Sequence, residues 1–187
     1  SALGVWIVGV VLGIVSIVNI ASGFSQSSDS AERIAVLNPH DSTLTIKVNI
    51  DADMLSPSYV EDWEYNDGHS YHHRWKMVSG DETDLKFGYA GLNIIPAIGD
   101  SIEMFVYKKA HGRTKTEAQN RVKAIAYSIQ QDSNGITFPS HFTIGGQSWK
   151  AQEVGVELRI PIGTVIFIDA SCEYLLNDVA NVSKNSD

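Results

Sequence analysis

The chain has 187 residues, of which 43% are hydrophobic and 19% are charged. This length suits one domain of ordinary size, and the composition excludes wholly disordered, collagen-like and low-complexity chains. The formal net charge of −8 argues against a general nucleic-acid binder, and the single Cys172 excludes an intramolecular disulfide and a CxxC zinc site.

Before the first ionisable side chain, Asp29, every residue of the N-terminal region is apolar, small or neutral polar. Residues 2–21 are uncharged, and 15 of these 20 residues are Ala, Val, Leu, Ile or Trp. Twenty residues in a helix span about 30 Å, the thickness of the hydrocarbon core of a bilayer. The run therefore predicts a transmembrane helix from Ala2 to Ala21 in contact with membrane lipid.

Two other interpretations of this run remain open. A signal peptide would carry a basic n-region and a small-x-small cleavage site, and neither is clear here. A buried core helix is unusual without a polar face in a domain this small. The chain begins with Ser1 instead of Met, from which we expect a processed or trimmed product of a longer polypeptide.

Downstream of the span, the serine-rich residues 22–33 predict a linker that is flexible at least in its first part. We expect a β-rich domain at 34–177 and a flexible tail at 178–187. Arg33 is the one basic residue within about 15 residues of the span, and Asp29 and Glu32 lie beside it, so no excess of positive charge holds this side in the cytoplasm. We therefore expect the soluble domain on the periplasmic side of a bacterial inner membrane.

The predicted domain alternates between hydrophobic and polar residues with a period of two, as strands with one buried face do. This pattern predicts strands over 44–50, 102–107 and 154–160, and a β-branched run predicts another over 164–169. Short strands separated by turns indicate a mainly β body.

A hairpin is predicted between 127–131 and 136–138, because Asn134-Gly135 supplies the positive backbone angles of a tight turn.

One amphipathic helix is predicted over 115–126. Thr114 and Glu117 have the spacing of a capping box, in which each side chain satisfies a backbone N–H at the helix start. The apolar face is predicted to pack on the sheet and consists of Ala118, Val122, Ile125 and Ala126.

The C-terminal half resembles a known family. The helix KTEAQNRVKAIAYSI and the phrase FPSHFTIGGQSWKAQEVGVELRIPIGTVIFID, together with the preceding apolar span, resemble the periplasmic C-terminal region of phage shock protein C (PspC) domain proteins from Bacteroidetes-type bacteria. The VxLxIPxGTxxxID motif resembles their β-solenoid "toastrack" module and comprises Val156, Leu158, Ile160, Pro161, Gly163, Thr164, Ile168 and Asp169.

This resemblance covers residues 2–177, although 51–100 match the family pattern poorly. It implies a mainly β, toastrack-like β-solenoid with one amphipathic helix, preceded by one transmembrane helix. It also implies a role in envelope-stress regulation, with a cytoplasmic PspC domain and several spans before Ser1. The shared motifs are structural and none is catalytic.

A local histidine cluster is the main candidate for chemistry. His69, His72 and His73 follow Glu64 and Asp67, and imidazoles with a carboxylate can bind Zn²⁺. A solvated loop or strand edge explains the same residues more simply. Six carboxylates without a nearby Lys or Arg are interpreted as an acidic surface in preference to a divalent-ion site; they are Asp51, Asp53, Glu61, Asp62, Glu64 and Asp67.

A basic patch is predicted around the helix. Its cations could meet anionic phospholipid headgroups or the acidic segment of a neighbouring copy, although such runs are more often a wet helix face; they are Lys108, Lys109, Arg113, Lys115, Arg121 and Lys123. Cys172 has no activating context and is interpreted as a small buried hydrophobe.

We expect a non-enzymatic module that is anchored in the membrane and contacts a protein partner or a second copy, without nucleic acid. The sequence has no GxSxG, P-loop, GxGxxG or HExxH motif, and no catalytic, cofactor or metal residue is assigned. The alternative is a metal-binding protein or metal-dependent hydrolase that uses His69, His72 and His73. A third hypothesis is lipid or glycan binding by Trp63, Tyr65, Tyr71 and Trp75.

Overall fold

The structure, a computed structural model, describes residues 2–36, 43–50, 63–65, 73–78, 86–88, 90–133 and 135–179. Its first element is helix α1, Ala2–Ser22, which matches the predicted span to within one residue. The window Val5–Ser22 has a mean hydropathy of 2.3 and is 0% buried. The interpretation as a buried core helix is therefore wrong, because the β domain does not cover this window.

Thirteen strands and two further helical segments follow α1 in the described part of the chain. The strands are β1 (Gln26–Ala35), β2 (Thr43–Asn49), β3 (Trp63–Tyr65), β4 (His73–Val78), β5 (Lys86–Gly88), β6 (Gly91–Pro96), β7 (Glu103–Gly112), β8 (Gln130–Gln131), β9 (Gly135–Pro139), β10 (His141–Thr143), β11 (Glu153–Ile160), β12 (Val165–Ile168) and β13 (Leu176–Val179). Helix α2 is Lys115–Ala124, and a 3-10 helix covers Ala170–Tyr174. The prediction of a mainly β fold with an N-terminal apolar helix is confirmed.

The largest sheet has the strand order β1-β7-β11-β6-β13. Strand β7 pairs antiparallel with β1 and β11, whereas β6 pairs parallel with β11 and β13. A second sheet has the order β12-β2-β9-β8, with β2 parallel to both β12 and β9. A third sheet has the order β10-β5-β4-β3.

Inward-facing side chains of the first two sheets form one hydrophobic cluster. The alternation predicted for three strands is confirmed, because every second residue of β2, β7 and β11 is buried at most positions. The cluster includes Leu44, Ile46, Val48, Leu92, Ile94, Met104, Val106, Ile136, Phe138, Val154, Val156, Leu158 and Ile160. The core therefore lies between the sheets.

The linker predicted at 22–33 is wrong. Ser22 ends α1, and β1 begins at Gln26 as an edge strand of the largest sheet. Its side chains are almost all exposed, so the sequence shows no hydrophobic alternation there. Backbone pairing with β7 forms the strand, over ten residues in register.

Helix α2 has the predicted start but ends two residues earlier than predicted. The N–H of Glu117 donates to Thr114 Oγ1 at 3.1 Å, which confirms the cap. Ile125 has an extended backbone and is the C-cap residue, so it is not part of the helix. Its side chain is nevertheless buried, whereas that of Ala126 is exposed. Ala118 and Val122 are buried on α2 as predicted.

The predicted hairpin forms between β8 and β9, but β8 has only two residues. Gly135 does not have a positive φ; the described glycines that do are Gly145, Gly146 and Gly163. Gly135 is needed for a different reason, because a Cβ there would overlap the carbonyl oxygen of Thr45. At the C-terminal end, β13 continues past the domain boundary predicted at 177.

Candidate functional site

The junction between α1 and the β domain is a tight turn of three residues, Gly23 to Ser25. The N–H groups of Gly23, Phe24 and Ser25 donate to carbonyls three residues earlier, at 3.0, 3.1 and 3.2 Å. Such bonds satisfy carbonyls that a helix end leaves without a partner. Ser25 Oγ also donates to the carbonyl of Arg113 at 3.1 Å. The span is therefore joined directly to the sheet.

Phe24 contacts three side chains of the β domain. Its ring centroid lies 6.1 Å from that of His111 and 6.4 Å from that of Trp149, with an edge-on geometry in the second case. Lys150 Nζ lies 4.9 Å from the centre of the Phe24 ring, a cation–π geometry. A Cβ added at Gly23 would lie 2.9 Å from the same ammonium. Lys150 therefore lies against the C-terminal end of α1, where a cation stabilises the helix dipole.

Trp149 and Lys150 are held by a constrained loop, residues 145–152, which we call the Trp149 loop. Gly145, Gly146 and Ala151 all have positive φ, at 60°, 68° and 48°. A positive φ is uncommon outside glycine, so the backbone at Ala151 is held against a conformational cost.

Hydrogen bonds of the buried Gln152 and of neighbouring residues hold the Trp149 loop in place. Gln152 is 0% exposed, its amide oxygen accepts from the N–H of Lys150, and its amide nitrogen donates to the carbonyl of Ser148 at 3.4 Å. Arg121 Nη1 donates to the same Ser148 carbonyl at 2.7 Å. The N–H of His111 donates to the carbonyl of Lys150 at 3.1 Å. The loop therefore presents Trp149, which is 41% exposed, in a fixed position.

The surface around the end of α1 is cationic, and we call it the helix-proximal face. Lys115 Nζ donates to the carbonyl of Ser27 at 2.8 Å, which places this ammonium beside the start of β1. Neither Arg113 nor Lys150 forms an ion pair with a carboxylate in the described part of the chain. The helix-proximal face consists of Phe24, His111, Arg113, Lys115, Trp149 and Lys150.

A polar groove of about 500 Å³ lies between the N-terminal half of α2 and the Trp149 loop. Its charged groups are Arg121 and Glu117, which form an ion pair at 2.8 Å. The guanidinium of Arg121 and the backbone N–H of Arg113 hold the pKa of Glu117 below its ordinary value. These two charges offset each other. The groove is lined by Thr114, Thr116, Glu117, Asn120, Arg121, Gln147 and Ser148.

A second exposed surface lies at β12, which is an edge strand of its sheet in the described part. Val165 and Phe167 are 59% and 56% exposed, and Ile162 in the preceding turn is 76% exposed. Edge strands carry backbone groups that can pair with another chain.

Most of the residues predicted for metal chemistry lie outside the described residues, including His69 and His72. His73 is described only as the first backbone position of β4, paired in register with Tyr65. The described residues contain no group of three potential ligands that could hold a metal ion, and His69 and His72 lie outside those residues. The metal hypothesis therefore stays a prediction, as does glycan binding by the aromatic residues.

The predicted basic patch is distributed among several contacts. Lys108 Nζ donates to the carbonyl of Ile125 at 3.0 Å, and Lys109 lies 3.8 Å from Glu153. Only part of the patch, Arg113 and Lys115, lies on the helix-proximal face.

Cys172 is buried in the core, as its context indicated. Its thiol contacts the carbonyl of Ile46 at 3.4 Å, and burial raises its pKa.

The family comparison matches the part of the chain that carries these elements. The family model described as "ToastRack found in some PspC" matches residues 81–187, more than half of the chain. The chain belongs to this PspC C-terminal ToastRack family. The predicted resemblance to PspC-type toastrack domains is thereby confirmed. No curated protein and no solved structure matches the chain.

Sequence reasoning missed Phe24, Trp149, Lys150 and Gln152 as parts of one site. The Trp149-Lys150 pair was a usable indication, because Trp and Lys are typical residues of membrane–water interfaces. The position of this pair beside the end of α1 could not be predicted, because it depends on contacts with Phe24, more than 120 residues earlier in the chain.

Proposed function

We propose that the chain is a membrane-anchored, envelope-facing module of a PspC-type protein, which acts without chemistry of its own in envelope-stress regulation or scaffolding through protein contacts. The observation that carries this proposal is the direct junction between an exposed apolar helix and an edge strand of the main sheet. With only three residues between them, a displacement of the helix is transmitted to the domain. Membership of the PspC-associated family supports the same role.

The anchoring part of the proposal is tested by removing residues 2–21 or by placing charges in the helix. Arginine at the centre of a span costs about 2.5–3.5 kcal/mol on insertion scales. We expect the intact chain to remain in membranes after carbonate extraction, and the Val11→Arg/Ile14→Arg variant to be released. Ile98→Arg is the control, because Ile98 is fully exposed and follows the last residue of β6, Pro96, by two positions. If the chain without residues 2–21 still fractionates with membranes, anchoring by α1 is wrong.

The periplasmic placement is tested by thiol labelling in intact cells. An Ile98→Cys variant presents an exposed thiol, whereas the native Cys172 is buried and serves as an internal reference. A membrane-impermeant maleimide that enters the periplasm should label Ile98→Cys before lysis. Labelling that requires lysis of the inner membrane would place the domain on the cytoplasmic side.

For the protein contact, we propose self-association at β12. Two copies anchored by the same end stand at the same height above the membrane, which raises their effective concentration at matching surfaces. The exposed Val165 and Phe167 are the side chains that such a contact would cover. Analytical ultracentrifugation in detergent should show association of the intact chain and its loss in Phe167→Ser. An intact chain that stays monomeric, with one copy per micelle at all concentrations, would contradict self-association.

A further inference from the structure

The helix-proximal face lies at the level where α1 leaves the hydrocarbon. Helix α1 has 21 residues and is about 32 Å long, close to the thickness of the hydrocarbon core. Phe24 follows its last residue by two positions, which span at most about 7 Å. The headgroup layer on each side of the core is about 5–7 Å thick. Because Trp149 and Lys150 contact Phe24, both lie at the depth of the headgroups when α1 spans the bilayer.

The side chains at this depth are suited to that layer. Tryptophan is enriched at membrane–water interfaces because one end of its ring system is apolar and the other donates a hydrogen bond. Lysine and arginine place apolar stems against hydrocarbon and their charges in the headgroup region. Trp149 and Lys150 are adjacent in sequence, and Arg113 and Lys115 extend the same face toward β1.

The charge of this face is opposite to that of the whole chain. The chain has a net charge of −8, whereas Arg113, Lys115 and Lys150 place three cations on the helix-proximal face and its six residues include no carboxylate. The neighbouring Glu117 is already paired with Arg121. An anionic surface is therefore attracted to this end of the domain and repelled by the average charge of the rest.

We propose that the helix-proximal face binds the headgroups of anionic phospholipids and thereby holds the β domain at a fixed orientation on the bilayer. This proposal rests on the proposed membrane anchoring by α1. Lys150 and Arg113 contact the phosphates, and Trp149 inserts at the boundary between headgroups and acyl chains. The hydrogen bonds of Gln152 and the positive φ of Ala151 keep Trp149 and Lys150 oriented toward the lipid.

The test uses the whole chain in nanodiscs of phosphatidylcholine, with or without an equal amount of phosphatidylglycerol. In a Trp6→Phe/Trp63→Phe/Trp75→Phe background, Trp149 is the one remaining tryptophan. Lipids brominated near the headgroup end of the acyl chain then report its contact with the membrane. We expect stronger quenching with phosphatidylglycerol, and a loss of this difference in Lys150→Gln/Arg113→Gln. The equilibrium constant for contact between the helix-proximal face and the anionic membrane should fall by about fivefold for each cation removed.

The matched control removes Arg33 of β1 and Arg159 of β11, two cations that lie beside the end of β7 opposite to Gly112. Arg33 Nη2 lies 2.6 Å from one carboxylate oxygen of Glu103, and Arg159 Nη1 lies 3.9 Å from the other. Ten residues of strand place Glu103 about 30 Å from Gly112. The variant Arg33→Gln/Arg159→Gln should keep the lipid dependence of Trp149 quenching.

Flotation of the same samples separates the two proposals. If the chain floats with the lipid and Trp149 is not quenched in either membrane, the face lies off the bilayer and this inference is overturned while anchoring stands. Equal quenching with and without phosphatidylglycerol overturns the anionic specificity. A chain that fails to float contradicts the proposed function itself.

A second measurement avoids the tryptophan substitutions. Hydrogen exchange of wild-type peptides covering 145–152 should slow in nanodiscs that contain phosphatidylglycerol, whereas peptides covering 154–160 should be unchanged. Identical exchange of the Trp149 loop in both membranes would also overturn the inference.

Discussion

Gly135 in β9 lies opposite Thr45 in β2, so close that a side chain at Gly135 would overlap the Thr45 carbonyl oxygen. The two strands are parallel, and Ile136 beside the glycine is buried in the core. Gly135→Ala must therefore push β9 away from β2. We expect a loss of about 1–3 kcal/mol in the free energy of unfolding, as for overpacked cores. Denaturant unfolding of the detergent-solubilised chain measures this loss.

The control for this substitution is Gly155→Ala in β11. A Cβ at Gly155 would lie 4.0 Å from the Cβ of Tyr107, an ordinary van der Waals contact. Its unfolding midpoint should stay near that of the wild type. Equal midpoints for both alanine variants would show that β9 and β2 can separate at no cost.

Leu158 lies at the centre of the largest sheet, opposite Met104 on β7 and Ile94 on β6, and is 0% exposed. Leu158→Ala removes buried apolar atoms and leaves a cavity, so we expect a destabilisation of about 2–5 kcal/mol. Ile162→Ala is the comparison, because Ile162 is 76% exposed and its truncation should change stability little. A similar effect of both variants would contradict the assignment of the core.

Thr114 is the N-cap residue of α2, and its Oγ1 accepts a hydrogen bond from the N–H of Glu117. Thr114→Ala should lower the free energy of unfolding by about 1 kcal/mol, the usual effect of losing a cap. Thr116→Ala changes an exposed threonine inside the first turn and serves as the control. Thermal unfolding followed by circular dichroism measures both. An unchanged melting temperature in Thr114→Ala would show that another group satisfies this N–H.

Glu117 makes stability depend on pH. Its pKa is lowered, first by the hydrogen bonds from Arg121 and then by the N–H of Arg113, so the folded state favours the ionised carboxylate. For a lowered pKa, the stabilisation is present above the ordinary carboxyl pKa of about 4.3 and is lost as pH falls through the folded-state value. Wild type should therefore be more stable than Glu117→Gln at pH 7, and this difference should shrink below about pH 4. A difference that is constant between pH 7 and pH 3 would contradict this.

Cys172 provides a probe of core opening. It is the one thiol in the chain, it is 0% exposed, and burial raises its pKa, so both access and ionisation disfavour reaction. We expect a thiol reagent to label the native chain much more slowly than the denatured chain at the same pH. Leu158→Ala should increase the native labelling rate. Rapid labelling of the native wild-type chain would show that this part of the core is open.

Several elements follow from local sequence alone. The uncharged run from Ala2 to Ala21 predicts α1, because a helix that spans hydrocarbon needs an apolar surface on all sides. The alternation in β2, β7 and β11 is visible because one face of each strand is buried and the other is wet. Thr114 and Glu117 mark the start of α2 because a cap acts over three residues.

Other elements depend on partners that are distant in the chain. Strand β1 was predicted to be a linker because its exposed side chains show no alternation; pairing with β7, about 80 residues later, makes it a strand. The Asn134-Gly135 pair correctly indicated a turn, yet the glycine is required by the carbonyl of Thr45 instead of by a positive φ.

The sequence by itself determined that an apolar helix precedes a β-rich domain with one capped helix, because side-chain burial and capping are read over a few neighbouring residues. Only the tertiary structure decided which strands pair, and that Phe24, Trp149 and Lys150 meet at the end of α1. The physical reason is that backbone pairing and aromatic contacts between distant segments depend on the folded arrangement of the whole chain. Local hydrophobic periodicity indicates which face of an element is buried, but not which distant segment it contacts.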